Sequence, residues 1–191
     1  MVYRAILTLA GSILLLTLLV YIVPNNVKLA GGTASVFEGR QQTRLGLPLR
    51  LKIPVINVDT LIENGGVTSD GSMEAPRVPE NVVWYSLGPR PGENGTAVIA
   101  GHFGWKDDVP SVFDNLSKLS KGDLLYVEND AGITTMFVVR DVKTYDSNAD
   151  TSEVFTSSDG KSHLNLITCE GTWDTISKSY PRRLVVFTDS Q

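Results

Sequence analysis

The sequence predicts an all-β domain, a barrel or a sandwich, that follows an N-terminal membrane-spanning helix. From Leu49 onward, short apolar runs are separated by turn signals at intervals of about 8 to 15 residues, which is typical of all-β domains. One or two short helices are expected, because residues 110–120 (PSVFDNLSKLS) place apolar side chains at helical spacing. The membrane segment is indicated by residues 5–23, which contain no charged side chain.

Residues 1–24 are predicted to form a membrane anchor. The uncharged run of nineteen residues is close to the roughly 20 that span a bilayer, and Arg4 precedes it. The positive-inside rule then places the N-terminus in the cytoplasm and the rest of the chain outside the cell membrane. A cleaved signal peptide is the alternative, but its apolar region is normally about 7–15 residues long, and no A-x-A site follows Val23.

Residues 25–48 are predicted to be a spacer, with a possible short helix over 36–44, and residues 49–191 to be a single domain. The formal net charge is −4 and no block of Lys or Arg stands out, so a nucleic-acid partner is not expected. One cysteine and two histidines exclude a disulfide framework and a Cys- or His-rich metal cluster, and no cofactor or metal is predicted.

The predicted strands follow from apolar runs and period-two alternation. Pro54 falls inside the first run, where it suits an edge or a break, because proline cannot donate to a strand ladder. The two runs after Gly122 are expected to form a hairpin linked through Asp-Ala-Gly. The runs cover residues 49–62, 96–102, 123–129, 134–146, 164–169 and 182–188.

Cys169 is the only cysteine and ends the apolar run LNLITC. Two interpretations are open: a small buried hydrophobe, or a nucleophile at a strand end, where functional groups concentrate. A thiol with an ordinary pKa near 8.5 is only a few per cent thiolate at neutral pH. A catalytic Cys169 therefore needs a base or a positive charge nearby.

The two histidines differ in their distance from Cys169. His163 lies six residues earlier in the same predicted strand, roughly 20 Å away at about 3.3 Å per residue. It is interpreted as a solvated residue at a strand start. His102 ends a different apolar run, and two adjacent strands would bring it beside Cys169. The alternative for His102 is a loop histidine with a purely structural role.

Arg182 and Arg183 begin the last predicted strand. Arginine is always charged and donates several hydrogen bonds, which suits it to stabilise the oxyanion formed when a thiolate attacks a carbonyl. Strand alternation allows only one of the two to share a face with the site. An exposed arginine at a strand edge is the alternative.

Three segments together, TAVIAGH, LNLITC and RRLVVF, resemble the signatures of sortases, the membrane-anchored cysteine transpeptidases of mainly Gram-positive bacteria. The family motif T-L-x-T-C corresponds to residues 165–169, with Asn165 in place of the first threonine. The resemblance extends from about Leu49 to Phe187. It implies a single closed eight-stranded sortase-type β-barrel.

The resemblance also implies an activity. Sortases cleave an LPxTG-like C-terminal sorting signal between Thr and Gly and join it to an amine of a peptidoglycan precursor or a pilin. It implies that Cys169 forms the thioacyl intermediate and that His102 acts as general acid and then base. The arginine that holds the substrate and the oxyanion would be Arg183, with Arg182 as the alternate.

No Asp-Pro-aromatic lid motif precedes the domain, which argues against a typical pilus-polymerising sortase. The compact loop with Trp173 and Tyr180 is more similar to general-purpose or class E and F sortases. These two aromatic residues would line the acceptor side of the cleft or pack against the barrel. Two other functions stay open: a cysteine peptidase or amidase in which water resolves the thioester, and a non-catalytic exported β-barrel binding protein.

Overall fold

The structure is a computed structural model and describes residues 45–105 and 109–191. The predicted anchor, residues 1–24, and most of the predicted spacer, residues 25–48 with its possible helix, lie outside the described residues. Within the described part, no helix is long and apolar enough to cross a membrane.

In the described residues, eight strands close into a barrel in the order β1-β2-β3-β4-β7-β8-β6-β5. The helical elements of the described residues are short: α1 (Ser152–Phe155) and two 3-10 turns, Pro54–Ile56 and Leu116–Lys118. The prediction of an all-β fold with a closed eight-stranded barrel is therefore confirmed. The strands are β1 Pro48–Ile53, β2 Val58–Gly65, β3 Val82–Tyr85, β4 Gly95–Gly101, β5 Leu124–Asn129, β6 Thr134–Asp146, β7 Ser162–Glu170 and β8 Arg182–Ser190.

Most neighbouring strands are antiparallel, but β2 with β3 and β4 with β7 are parallel. Parallel partners need long crossover connections, and the one between β4 and β7 carries β5, β6 and α1. Because β4 and β7 run in the same direction, the residues that follow their carboxyl ends meet at one end of the barrel. The antiparallel β8 begins at that same end.

Three local expectations need correction or refinement. Residues 49–62 form two antiparallel strands, because the chain turns at Pro54 and at Asn57, which has a left-handed φ of 55°. The strand β3 was not predicted, since its four residues are mostly buried and show no alternation. Residues 110–120 form turns and one 3-10 segment, and their helical spacing reflects the burial of Phe113, Leu116 and Leu119 in the core.

The barrel interior holds one large apolar cluster, which includes Leu51, Ile99, Phe137 and Leu166. Each such fully buried side chain contributes about 1.5–3 kcal/mol relative to exposure. A smaller cluster of Val154, Val185 and Phe187, with Ile167 packed against it, lies where α1 contacts the outside of the barrel. Alternation along β7 therefore points Leu164 and Leu166 inward, and Asn165, Ile167 and Cys169 outward.

Candidate active site

Cys169 lies near the carboxyl end of β7, on the outer face of the barrel, and is a half-buried free thiol. Burial raises the pKa of the thiol, and the positive charge of Arg183 opposes part of that rise. The side chain is thus neither sealed in the core nor fully exposed. A thiol in this position reacts through a small thiolate fraction that a nearby cation favours.

His102 directly follows β4 and lies beside Cys169. The parallel register pairs Ala100 with Ile167, so two residues further along, His102 and Cys169 are level on adjacent strand paths about 4.8 Å apart. Both side chains line the same cleft, whose volume is about 660 Å³. The structure therefore brings together the two strand-end residues that the sequence singled out.

One ring nitrogen of His102 is held by the backbone. Its Nε2 lies 2.8 Å from the carbonyl oxygen of Pro76, and because a carbonyl only accepts, Nε2 carries the hydrogen and donates. The indole of Trp105 stacks edge-on against the imidazole at 4.5 Å between ring centroids. Nδ1 is therefore the nitrogen that can exchange a proton with a group in the cleft.

The register between β7 and β8 separates the two arginines. Arg183 lies directly opposite Cys169, while Arg182 lies opposite Glu170 and forms an ion pair with it at 3.3 Å. Opposite residues of an antiparallel pair share a face, so Arg183 is the arginine on the face of the thiol. Its Nη1 donates to the carbonyl oxygens of Tyr180, at 3.0 Å, and Arg182, at 2.9 Å.

Aromatic rings form much of the cleft wall. Phe103 and Trp105 follow His102, and Trp173 and Tyr180 belong to the loop between β7 and β8. The Tyr180 ring packs edge-on against Phe103, at 5.6 Å, and Trp173, at 5.2 Å. The sequence analysis missed Phe103 and Trp105, although the signal was present in the run His-Phe-Gly-Trp.

Two polar residues of the strand motif have structural partners. Thr168 is buried and its Oγ1 donates to the carbonyl oxygen of Gly101 at 2.8 Å, which ties β7 to the end of β4. Asn165, which departs from the family motif, donates from Nδ2 to the carbonyl oxygen of Val154 in α1 at 2.7 Å. The substitution is thus matched by a hydrogen bond that attaches α1 to the barrel.

The expectation that His163 is solvated is wrong. The residue is 5% exposed, and its ring nitrogens lie 2.8 Å from Asp189 Oδ1 and 3.0 Å from Asp159 Oδ1. Asp189 is its cross-strand partner on β8 and Asp159 precedes β7, so both cover the ring. His163 hydrogen-bonding holds the pKa of Asp159 well below its usual range. The cluster lies at the opposite end of β7 from Cys169.

Within residues 45–105 and 109–191, no three His, Cys, Asp or Glu side chains are grouped so as to hold a metal ion. The chemistry available in the described site therefore rests on three side chains: a thiol, an imidazole and a guanidinium. A nucleophile, a proton carrier and a fixed cation are the groups that acyl transfer through a covalent intermediate requires.

Comparisons with a family model and with solved structures both identify sortases as similar proteins. The family model described as "Sortase domain" matches residues 51–191. Among solved structures, sortase C-1 from Actinomyces oris aligns with a TM-score of 0.60 at 25% identity, covering 74% of this chain and 72% of that one. Sortase C1 of Streptococcus agalactiae in complex with MTSET aligns with a TM-score of 0.57 at 26% identity, covering 75% and 66%.

Sortase A from Corynebacterium diphtheriae aligns with a TM-score of 0.58 at 21% identity, covering 77% of this chain and 61% of that one. This chain therefore spans less than two thirds of the length of two of the three matched structures. No curated protein matches the chain.

Proposed function

This chain belongs to the sortase family, and from that membership we propose that it is a cysteine transpeptidase acting through Cys169 on proteins with an LPxTG-like C-terminal sorting signal. The observation that carries the proposal is that β7, which carries Cys169, lies between the strand that precedes His102 and the strand that carries Arg183. His102 and Cys169 line one cleft, and Arg183 lies opposite Cys169 on the neighbouring strand.

In the first step, the Cys169 thiolate attacks the carbonyl carbon of the threonine in the sorting signal. The guanidinium of Arg183, fixed by its bonds to two carbonyl oxygens, stabilises the oxyanion. The C–N bond to glycine then breaks, and the leaving amine takes a proton from His102. The product is a thioester between the signal and Cys169.

In the second step, an acceptor amine attacks the thioester carbonyl, and His102 takes the proton that the amine loses. The C–S bond breaks, a new amide forms and Cys169 returns as thiolate. The bond from Nε2 to Pro76 leaves Nδ1 to carry the transferred proton in both directions. The acceptor would be an amine of a peptidoglycan precursor or of a pilin.

The same proposal includes the location of the enzyme. Residues 1–24 would anchor the protein in the cell membrane with a single span, and the catalytic domain would face outward. Substrates that are exported through the membrane would then emerge on the side of the active site. The uncharged run of residues 5–23 and the preceding Arg4 support this arrangement.

The proposal is tested by intact-mass spectrometry of the domain after incubation with LPxTG-type peptides. The wild-type domain should gain the mass of the acyl fragment, and the Cys169→Ala variant should gain nothing. Addition of oligoglycine or of a diaminopimelate-like amine should release the fragment as a ligated product. Release by water alone would favour a peptidase or amidase. The absence of any adduct, together with a thiol that resists iodoacetamide, would favour a binding protein.

A further inference from the structure

Tyr180 contacts both sides of the candidate site. Its hydroxyl donates to the carbonyl oxygen of Gly104 at 3.0 Å, and its own carbonyl oxygen accepts from Arg183 Nη1 at 3.0 Å. Its ring packs against Phe103 and Trp173. One residue of the loop between β7 and β8 therefore contacts the segment that follows His102 and also accepts a hydrogen bond from the guanidinium of Arg183, the residue opposite Cys169 on β8.

The peptide of Gly104 is held from two sides. While its carbonyl oxygen accepts from Tyr180, its N–H donates to Asp114 Oδ1 at 2.9 Å. Glycine is required here because φ is +60° and a Cβ would lie 2.5 Å from the Tyr180 hydroxyl oxygen. The other oxygen of Asp114 accepts from the N–H of Ser111 at 2.8 Å. The two hydrogen bonds to Gly104, from Tyr180 and to Asp114, form a clamp on the peptide two residues after His102.

The imidazole of His102 has one described hydrogen bond of its own, from Nε2 to Pro76. The ring also packs against Trp105, and the His102 carbonyl oxygen accepts from the N–H of Phe113 at 3.1 Å. Because Trp105 and Gly104 belong to the same short segment, the position of that segment affects where Nδ1 points. The Tyr180 side chain lines the same cleft as Cys169. Burial raises the pKa of the Tyr180 hydroxyl, and the charges of Cys169 and Asp114 raise that pKa further.

We propose that Tyr180 is a positioning residue for the acyl transfer, an inference that rests on the proposed function. Its hydroxyl fixes the segment that carries His102, and its carbonyl oxygen fixes the guanidinium of Arg183. The residue thus sets the distances from both groups to Cys169 without reacting itself. Misplacement of catalytic groups by about 1 Å can cost about 100-fold in rate.

The first test is the Tyr180→Phe variant, which removes the hydroxyl and keeps the ring. It should lower kcat for thioester formation by about 10-fold and change KM by less than about 2-fold, because substrate contacts persist while the proton carrier is displaced. The thermal midpoint should stay within about 4 °C of wild type. The matched control is Tyr126→Phe, the same change on β5 away from the cleft, which should leave kcat unchanged.

The second test does not depend on the reaction. Loss of the clamp should open the cleft, so iodoacetamide should alkylate Cys169 in Tyr180→Phe at least about 3-fold faster than in wild type. Asp114→Ala releases the same peptide from its other side. In the double variant, the alkylation rate should therefore rise by less than the product of the two single increases, because both residues act on the same Gly104 peptide.

If the Tyr180→Phe variant has the same alkylation rate and the same kcat as wild type, the inference is overturned. A fall in kcat that is matched by an equal rise in KM and by a large fall in thermal midpoint would also overturn it, because it would indicate a general structural role. If wild type forms no thioester with any peptide, the proposed function fails separately. Faster alkylation of Tyr180→Phe would still support the clamp, and an unchanged rate would still refute it.

Discussion

Cys169 and Arg183 lie directly opposite each other, on β7 and β8. The backbones of such antiparallel partners are about 4.5–5.5 Å apart, and their side chains share one face. The guanidinium charge consequently favours the thiolate of Cys169, against the burial that disfavours it. A one-residue slip of β8 would place Arg182 there instead, so the strand register decides which arginine serves the thiol.

The two arginines should therefore differ in function. Arg183→Ala should lower kcat/KM for peptide cleavage by about 100- to 1,000-fold, the cost of removing one oxyanion donor. Arg182→Ala breaks a partly exposed ion pair with Glu170, which is worth at most about 1 kcal/mol, and should change kcat/KM by less than about 3-fold. Steady-state kinetics with one fluorogenic peptide measures both. Equal losses would contradict the assignment of Arg183.

The reactivity of Cys169 should depend on pH in a defined direction. Burial raises the pKa of the thiol, and only the thiolate reacts, so alkylation by iodoacetamide should accelerate as the pH rises. The midpoint should lie above the ordinary value of about 8.5. Arg183→Gln should move the midpoint higher still, because it removes the charge that lowers this pKa. Free cysteine is the reference, and a midpoint below that of free cysteine would contradict the expectation.

Much of the site was predictable because it follows from strand-level patterns. Cys169, His102 and the arginine pair each adjoin a short apolar run, and such runs become neighbouring strands of one sheet. The choice between Arg182 and Arg183 required the register. That register depends on the full length of β7 and β8 and cannot be read from either segment alone.

Other features depend on partners that are distant in sequence. His163 is polar in isolation, but Asp189, which is 26 residues away, covers it. The hydroxyl of Tyr180 meets Gly104 across 76 residues. The strand β3 was missed because its burial comes from the barrel rather than from its own pattern. Local patterns predict the strands, while these contacts arise only after the barrel closes.

Asn165 should contribute to stability through α1. Its Nδ2 bond to Val154 is buried, while its Oδ1 is buried with no described partner. Asn165→Ala would leave the Val154 carbonyl unpaired but would also remove the unpaired Oδ1, so it should cost about 1 kcal/mol in the free energy of unfolding. Urea denaturation followed by tryptophan fluorescence measures the change. The matched control is Asn148→Ala at an exposed position, which should stay within about 0.5 kcal/mol of wild type. An equally small effect at Asn165 would mean that the bond does not stabilise the fold.

The cluster of His163, Asp159 and Asp189 should make the stability of the fold decrease at low pH. Hydrogen bonding to His163 holds the pKa of Asp159 below its usual range in the folded state. A carboxyl whose pKa is lowered by folding stabilises the protein above the unfolded value of about 3.9, and the contribution is lost as the pH falls toward the folded value. Asp159→Asn should therefore lower the thermal midpoint near neutral pH, and the difference from wild type should shrink steadily below about pH 4.

Thermal unfolding of wild type and Asp159→Asn between about pH 7 and pH 2 tests this dependence. The control is the same substitution in a His163→Gln background, where the hydrogen bond to the imidazole is absent. There the effect of Asp159→Asn should be smaller than in wild type, because only the hydrogen bonds from Lys161 N–H and Ser157 Oγ to the carboxylate remain. A difference between wild type and Asp159→Asn that persists undiminished in acid would show that the carboxylate stabilises the fold by some means other than its contact with His163.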